Sequence, residues 1–342
     1  MIQKVSTGLV VACLAASFIG GCKKEPAPAG GPAPAAAPGK AAGGKNAEYV
    51  FALIAKSNLN PVFQAARVGA EDAAKEVGEK LGVKIKMIWQ TPNEDDAKLQ
   101  SDYLEQMVLQ GVDGIAISCV TADIATPAID KAVSRGVPVM CFDSDAPKSK
   151  RFCFHGTDDF EAGRLIMRET AAVLGSGKHV VGIPGANQNA ANIQNRIRGA
   201  QEEAKGHPNI TLKGPYYFKE TPQDGAAKIE EAQTANPDID GWAMISAVAM
   251  FTDALMKWEP GKVKIVAMDA LEAQLPYLKK GVVQKLWAQQ TYKWGYRSIE
   301  LLADKVILGK DPEKVLDYSP LLPVEAKDAD AFAENWKKWL RK

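Results

Sequence analysis

From Tyr49 onward the chain alternates short apolar runs with amphipathic stretches of helical spacing, and then the whole pattern starts again. Tyr49–Ile54 reads as a buried strand, and Pro61 opens a helix whose apolar stripe is Ala66, Ala70, Ala73, Ala74, Val77 and Leu81. Strand-like runs follow at 83–89, 114–119 and 138–142, with helical patterns carrying Leu99, Tyr103 and Met107, and then 124–133. After Arg151 the strand-like runs are 152–155, 179–183, 211–218, 241–245, 264–268 and 283–288. The spacing predicts helices at 160–174, 190–205, 224–235, 247–258, 271–279 and 294–308. Such βα units demand parallel sheets with right-handed crossovers. Two consecutive runs exceed what a single core supports, so the expected α/β fold is two doubly wound parallel-sheet lobes. Ligands of such sheets bind beyond the carboxyl ends of the strands.

The preceding segment is different in kind. Lys4 is its one basic residue before an apolar run from Leu9 to Ile19, too short to span a bilayer, where about 20 apolar residues are needed. Small residues Gly20 and Gly21 then precede Cys22. This fits a secretory signal, with a signal that merely contains a cysteine as the plainer alternative. Ile19-Gly20-Gly21-Cys22 resembles a lipobox, which implies lipidation at Cys22 and a mature chain beginning there. Residues 23–46 are almost all Ala, Pro, Gly and Lys, without the large apolar side chains that offset ordering entropy. The expected organisation is 1–21 as signal and 22–46 as tether. Then come 47–157 with 290–318 as one lobe, and 158–289 with 319–342 as the other.

Composition narrows the partners. Forty-two Lys and Arg balance 41 Asp and Glu, so nothing draws the chain to nucleic acid. The 3 histidines, at 155, 179 and 207, are scattered, and no metal or cofactor is expected. Cys119, Cys141 and Cys153 are expected to be buried thiols, with a Cys141–Cys153 disulfide as the alternative in an oxidising compartment.

Polar residues gather after the strands: Asn58 and Asn60, then Asp143, Ser144 and Asp145, Thr157 with Asp158 and Asp159, Asn187 and Asn189, Arg196 on the next helix, Asp269, and Gln289. Planar amides, carboxylates and a guanidinium make in-plane or bidentate hydrogen bonds suited to sugar hydroxyls. Phe63 is placed to cover the C–H face of a sugar ring. Helix capping explains any one strand-end Asp or Asn, but not Arg196 or Gln289.

These residues carry a resemblance. From Tyr49 to about Leu322 the chain resembles periplasmic substrate-binding proteins of the ribose/galactose-binding type. Asn60-Pro61-Val62-Phe63 is similar to that family's amide-and-ring element, and Phe142-Asp143 to its strand-end Asp. Gly156-Thr157-Asp158-Asp159 with Ala162-Gly163 matches the entry into the second lobe, and Asn195-Arg196-Ile197-Arg198-Gly199 the Arg-x-x-Gly helix. Met268-Asp269 matches the Phe-Asp pair after a second-lobe strand, and Ala288-Gln289 the Ala-Gln where the chain crosses back. Ser144 stands where ribose binders carry Arg, Val62 replaces a ring, and Ala247 stands about where the family has Asn. These departures point to a ligand other than ribose, with Asn58, Asp145, Trp89 or Tyr292 as substitute contacts.

The resemblance implies a three-segment hinge, a ligand cleft between the lobes, and closure on a monosaccharide or similar polyol. It also implies a monomer without catalytic residues, held by its lipid at the periplasmic or cell surface. Its partners would be an ABC transporter permease or a chemoreceptor. Two alternatives are an extracytoplasmic sugar-acting enzyme using Asp143 and Asp145, and a sensor subunit for a sugar-like signal. Gly175-Ser176-Gly177-Lys178 lacks the leading Gly and the hydroxyl residue of a phosphate loop. No Gly-x-Ser-x-Gly elbow appears.

Overall fold

The computed structural model describes residues 47–341, so the predicted signal, the tether and Cys22 lie outside the described residues. The first sheet collects β1 (Glu48–Ile54), β2 (Lys84–Trp89), β3 (Gly114–Ile117), β4 (Val139–Phe142), β5 (Phe154–Gly156) and β11 (Leu316–Tyr318). The second collects β6 (His179–Ala186), β7 (Ile210–Tyr217), β8 (Gly241–Met244), β9 (Lys264–Met268), β10 (Lys285–Ala288) and β12 (Leu322–Val324). Their orders are β11-β5-β4-β3-β1-β2 and β12-β10-β9-β8-β6-β7, so the same doubly wound pattern occurs twice. Every pairing is parallel except β10 with β12.

Burial follows from the layering. Parallel strands covered on both faces read as unbroken apolar runs, and β3, β4 and β8 are buried at every residue. Successive side chains leave opposite faces, so Phe51 and Leu53 join one core while Ala52 and Ile54 join another. In the second lobe Trp242 and Met244 face one core, and Ala243 and Ile245 the other. Edge strand β2 (Lys-Ile-Lys-Met-Ile-Trp) is only partly covered.

The crossover helices are α1 (Pro61–Leu81), α2 (Ala97–Leu109), α3 (Ala122–Ser134), α4 (Asp159–Leu174), α5 (Ala191–Ala204), α6 (Pro222–Ala235), α7 (Leu275–Lys280) and α8 (Thr291–Val306). Two of their contacts need glycine. A methyl on Gly295 of α8 would lie 1.7 Å from the Ala66 carbonyl oxygen, and one on Gly69 2.0 Å from that of Tyr292, so α1 and α8 touch backbone to backbone. In the second lobe a methyl on Gly163 would lie 2.0 Å from the Arg196 carbonyl oxygen, and one on Gly199 2.0 Å from that of Phe160, fixing α4 against α5. The chain passes between the sheets after β5, after β10, and between β11 and β12.

Two predicted helices are revised. The expected helix at 247–258 is two 3-10 turns, Val248–Met250 and Ala254–Lys257. The Tyr277 hydroxyl enters the gap, donating to the Thr252 carbonyl and accepting from the Leu255 amide, which breaks a continuous ladder. The helix expected from Leu271 starts at Leu275, because Gln274 takes the Leu271 amide and donates to the Met268 carbonyl. The terminal helix α9 (Ala329–Trp339) straddles the lobes. Ala329 joins the second-lobe core and Trp336 the first-lobe core, with the Trp336 Nε1 donating to the Ala270 carbonyl at 2.7 Å. Among the described residues Cys119, Cys141 and Cys153 are free and buried, and Cys141 Sγ lies 3.8 Å from Cys119 Sγ.

Candidate functional site

Both lobes throw an aspartate off a strand end in the same way. Asp143, after β4, has φ 56°, and Asp269, after β9, has φ 64°. A non-glycine residue rarely adopts this left-handed conformation, but Asp tolerates it better than most. The turn ends each strand and swings a carboxylate over the sheet. Asp143 accepts from the Ser118 hydroxyl at 2.7 Å and lies 3.4 Å from the Lys56 ammonium. Asp269 accepts from Gln289 Nε2 at 2.8 Å.

Gln289 links the lobes. Its Oε1 accepts from the Thr157 hydroxyl at 2.8 Å and from Arg196 Nη2 at 3.0 Å. Arg196 is held on three sides: Nε donates to Asp159 at 2.8 Å, Nη1 to the Ile245 carbonyl at 3.3 Å, and Nη2 to Gln289. The glycine crossing of α4 and α5 sets the height of Arg196, since its own carbonyl is the atom Gly163 admits. Burial pushes the Asp159 carboxyl up to about 6 against the pull of Arg196. Asp269 is raised for the same reason, again with Arg196 opposing.

These groups wall a cavity of about 880 Å³ between the two sheets. Of the predicted ligand residues, Asn60, Phe63, Asp143, Arg196, Asp269 and Gln289 line it. Asn60 also caps α1, accepting from the Val62 amide at 3.2 Å. Thr157 stands behind the wall and orients Gln289.

Asn58, Ser144 and Asp145, with the substitute contacts Trp89 and Tyr292, do not line the cavity. Asn58 Oδ1 is turned to Gln64 Nε2 at 2.8 Å and Trp89 Nε1 at 3.1 Å, which also keeps the Trp89 indole off the ligand space. Ser144 is buried beyond the Asp143 turn, its hydroxyl unpaired. Asp145 is clamped by Arg151, with Arg151 Nη2 donating to Oδ2 at 2.6 Å and Nε to Oδ1. Tyr292 donates to Asp72 at 2.9 Å instead.

The wall includes groups that the strand-end reading passed over. Lys56 follows β1, is 6% exposed, and reaches Asn192 Oδ1 of the other lobe at 3.4 Å. Burial lowers its ammonium, but Asp143, Glu220 and Asp95 overcome this and hold it above its ordinary value. A lone lysine closing a fully apolar run was the available signal. Trp294, buried and 6.4 Å from the Phe63 ring centroid, supplies a second ring to the cavity. Lys219 lies 3.6 Å from Glu94 across the cleft.

The lobes, the cavity between them and its strand-end carboxylates accord with comparisons to known proteins. The sequence profile described as the periplasmic binding protein domain matches residues 51–311. The chain belongs to the periplasmic binding protein family. Within it the chain is of the type I, sugar-binding kind. It is 24% identical to the ribose import binding protein RbsB of Bacillus subtilis over 277 residues, covering 80% of this chain and 86% of that protein. It is 28% identical to the D-ribose/D-allose-binding protein of Pseudomonas aeruginosa over 288 residues, covering 80% and 87%. Its structure matches an ABC transporter solute-binding protein of Burkholderia graminis in complex with D-arabinose. That match has a TM-score of 0.74 and 26% identity, covering 82% of this chain and 96% of that one.

Proposed function

We propose that this protein captures a monosaccharide or similar polyol by lobe closure and hands it to an ABC importer, held at the membrane through lipid on Cys22. The observation that carries the reading is the cavity wall itself. Asp143 and Phe63 on one lobe face Arg196 and Asp269 on the other, with Gln289 at the crossover between them. Carboxylate and guanidinium together saturate hydroxyls that both donate and accept, while Phe63 and Trp294 present apolar faces to ring C–H groups. Because the contacts come from both lobes, a bound sugar favours the closed arrangement by its differential affinity. A micromolar affinity corresponds to about −8.2 kcal/mol, within reach of half a dozen charge-assisted hydrogen bonds and two rings.

The enzyme reading loses its second carboxylate, since Asp145 is engaged by Arg151 outside the cavity. Among the described residues no helix is long and apolar enough to cross a membrane, so the attachment proposed here rests on Cys22. The test is a melting-temperature screen against pentoses, hexoses and inositol. At least one should raise the midpoint in a concentration-dependent way; no stabilisation by any sugar overturns the proposal.

A further inference from the structure

The polar groups on the cavity wall divide into those already matched and those left over. Arg196 donates to Asp159, Gln289 and the Ile245 carbonyl, three of its five N–H groups. Asp269 takes Gln289, and Lys219 stands by Glu94. Lys56 lies beside Asp143 and Asn192 and also acts on Glu220 and Asp95, one cation shared among three carboxylates. What remains is Glu220, on the loop between β7 and α6, and Asp95, on the loop between β2 and α2. One belongs to each lobe, and both line the cavity. Glu220 Oε2 is buried and makes no hydrogen bond, and the Asp95 carboxylate is near enough to act on it.

The wall therefore carries Glu94, Asp95, Asp143, Glu220 and Asp269 against Lys56, Arg196 and Lys219, two more carboxylates than cations. That surplus opposes an anionic ligand such as a sugar phosphate or a uronic acid. A neutral sugar also fits it poorly, because a buried carboxylate without a partner is costly. Burial pushes the Glu220 carboxyl up to about 7; Lys56 and Arg196 oppose this, while Asp95 and Asp143 add to it. Asp95, although exposed toward the cleft, is raised by the same loss of water, with Lys56 opposing. Among the described residues no group of three His, Cys, Asp or Glu is placed to hold a metal ion.

We propose that the ligand is an amino sugar, its ammonium held between Glu220 of one lobe and Asp95 of the other. An ammonium carries three donors and no acceptor, which suits a site with two carboxylates. Lys56 stays on Asp143, and the ring hydroxyls fall to Asp143, Asp269 and Arg196. The amine thereby joins the lobes, so it contributes most in the closed form. This inference rests on the sugar-capture reading and sharpens it.

Isothermal titration of the full-length protein in detergent decides the matter. D-glucosamine, D-galactosamine and D-mannosamine are each titrated beside the parent hexose and the N-acetyl derivative. At least one amine should bind tenfold or more tighter than both its neutral counterparts. Glu220→Gln should bring it down to the affinity of the parent hexose, and Asp95→Asn, on an exposed loop where folding is not at issue, should do likewise. Neutral sugars of any kind binding as tightly as the amines, with Asp95→Asn indifferent, overturns the amino-sugar inference and leaves sugar capture standing. No binding by any amino sugar, hexose, pentose or inositol overturns both.

Discussion

Glu220 makes a prediction about the unliganded protein. Its carboxyl sits at about 7 in the fold against 4.5 in the open chain, so the folded form keeps a proton that the unfolded chain has released. Stability must then fall as pH rises through that window and level off above it. Asp159, pushed up to about 6, adds to the same slope. Replacing Glu220 by Gln removes its share. The variant should melt higher than the parent at about pH 8 and alongside it at about pH 5. Equal shifts at both values would contradict the assignment. At this scale the sequence was informative where residue type and strand-end position agreed, as for Asp143 and Asp269. It misled at Asn58 and Asp145, because a neighbouring indole or guanidinium decides which way a side chain turns, and neither Trp89 nor Arg151 is marked as such a neighbour by spacing. Glu220 could not be read at all. A glutamate in Lys219-Glu220-Thr221-Pro222 looks like a solvated loop until the opposite lobe covers it.

At the scale of elements, the helix that carries Arg196 is placed by glycines. Gly163 and Gly199 let α4 and α5 meet at their backbones, and the atom admitted is the Arg196 carbonyl itself. Alanine at either position must push the helices apart. The expected cost is about 1–3 kcal/mol of stability, the usual range for overpacking, seen as a lower urea midpoint. Because Arg196 moves with α5, Gly163→Ala should also weaken sugar binding several-fold, although Gly163 is outside the cavity. Loss of stability with undiminished affinity would show that Arg196 is not held by this crossing. The long elements were legible because a parallel strand is apolar throughout and its crossover helix keeps one stripe. The failures have local causes. Strands β11 and β12 are three residues each and partly exposed, so neither carries a pattern. Region 247–258 has helical composition, and only the inserted Tyr277 hydroxyl, remote in sequence, breaks it into turns.

For the whole molecule, the question is what holds the lobes together across the cleft. Contacts of two kinds cross it. Lys56 to Asn192 is buried, whereas Lys219 to Glu94 lies at the exposed mouth, 3.6 Å apart. Helix α9 and the residues after it add further bonds: Arg341 donates to Glu71 and Asp72 of α1 at 2.8 Å each, while Trp336 Nε1 donates to the Ala270 carbonyl. The α9 contacts lie away from the cavity, so the mouth pair is the place to bias closure with least disturbance of the fold. An exposed ion pair contributes about 0–1 kcal/mol, and the reversal Lys219→Glu replaces attraction by a repulsion of similar size. That penalty exists only when the lobes meet, so it subtracts from the closed form alone. Sugar affinity should fall by up to about tenfold, with most of the loss recovered in high salt, where an exposed pair is screened. The melting temperature of the unliganded protein should hardly move. Affinity loss insensitive to salt would mean that Lys219 contacts the ligand directly, and the mouth pair would then have no part in closure.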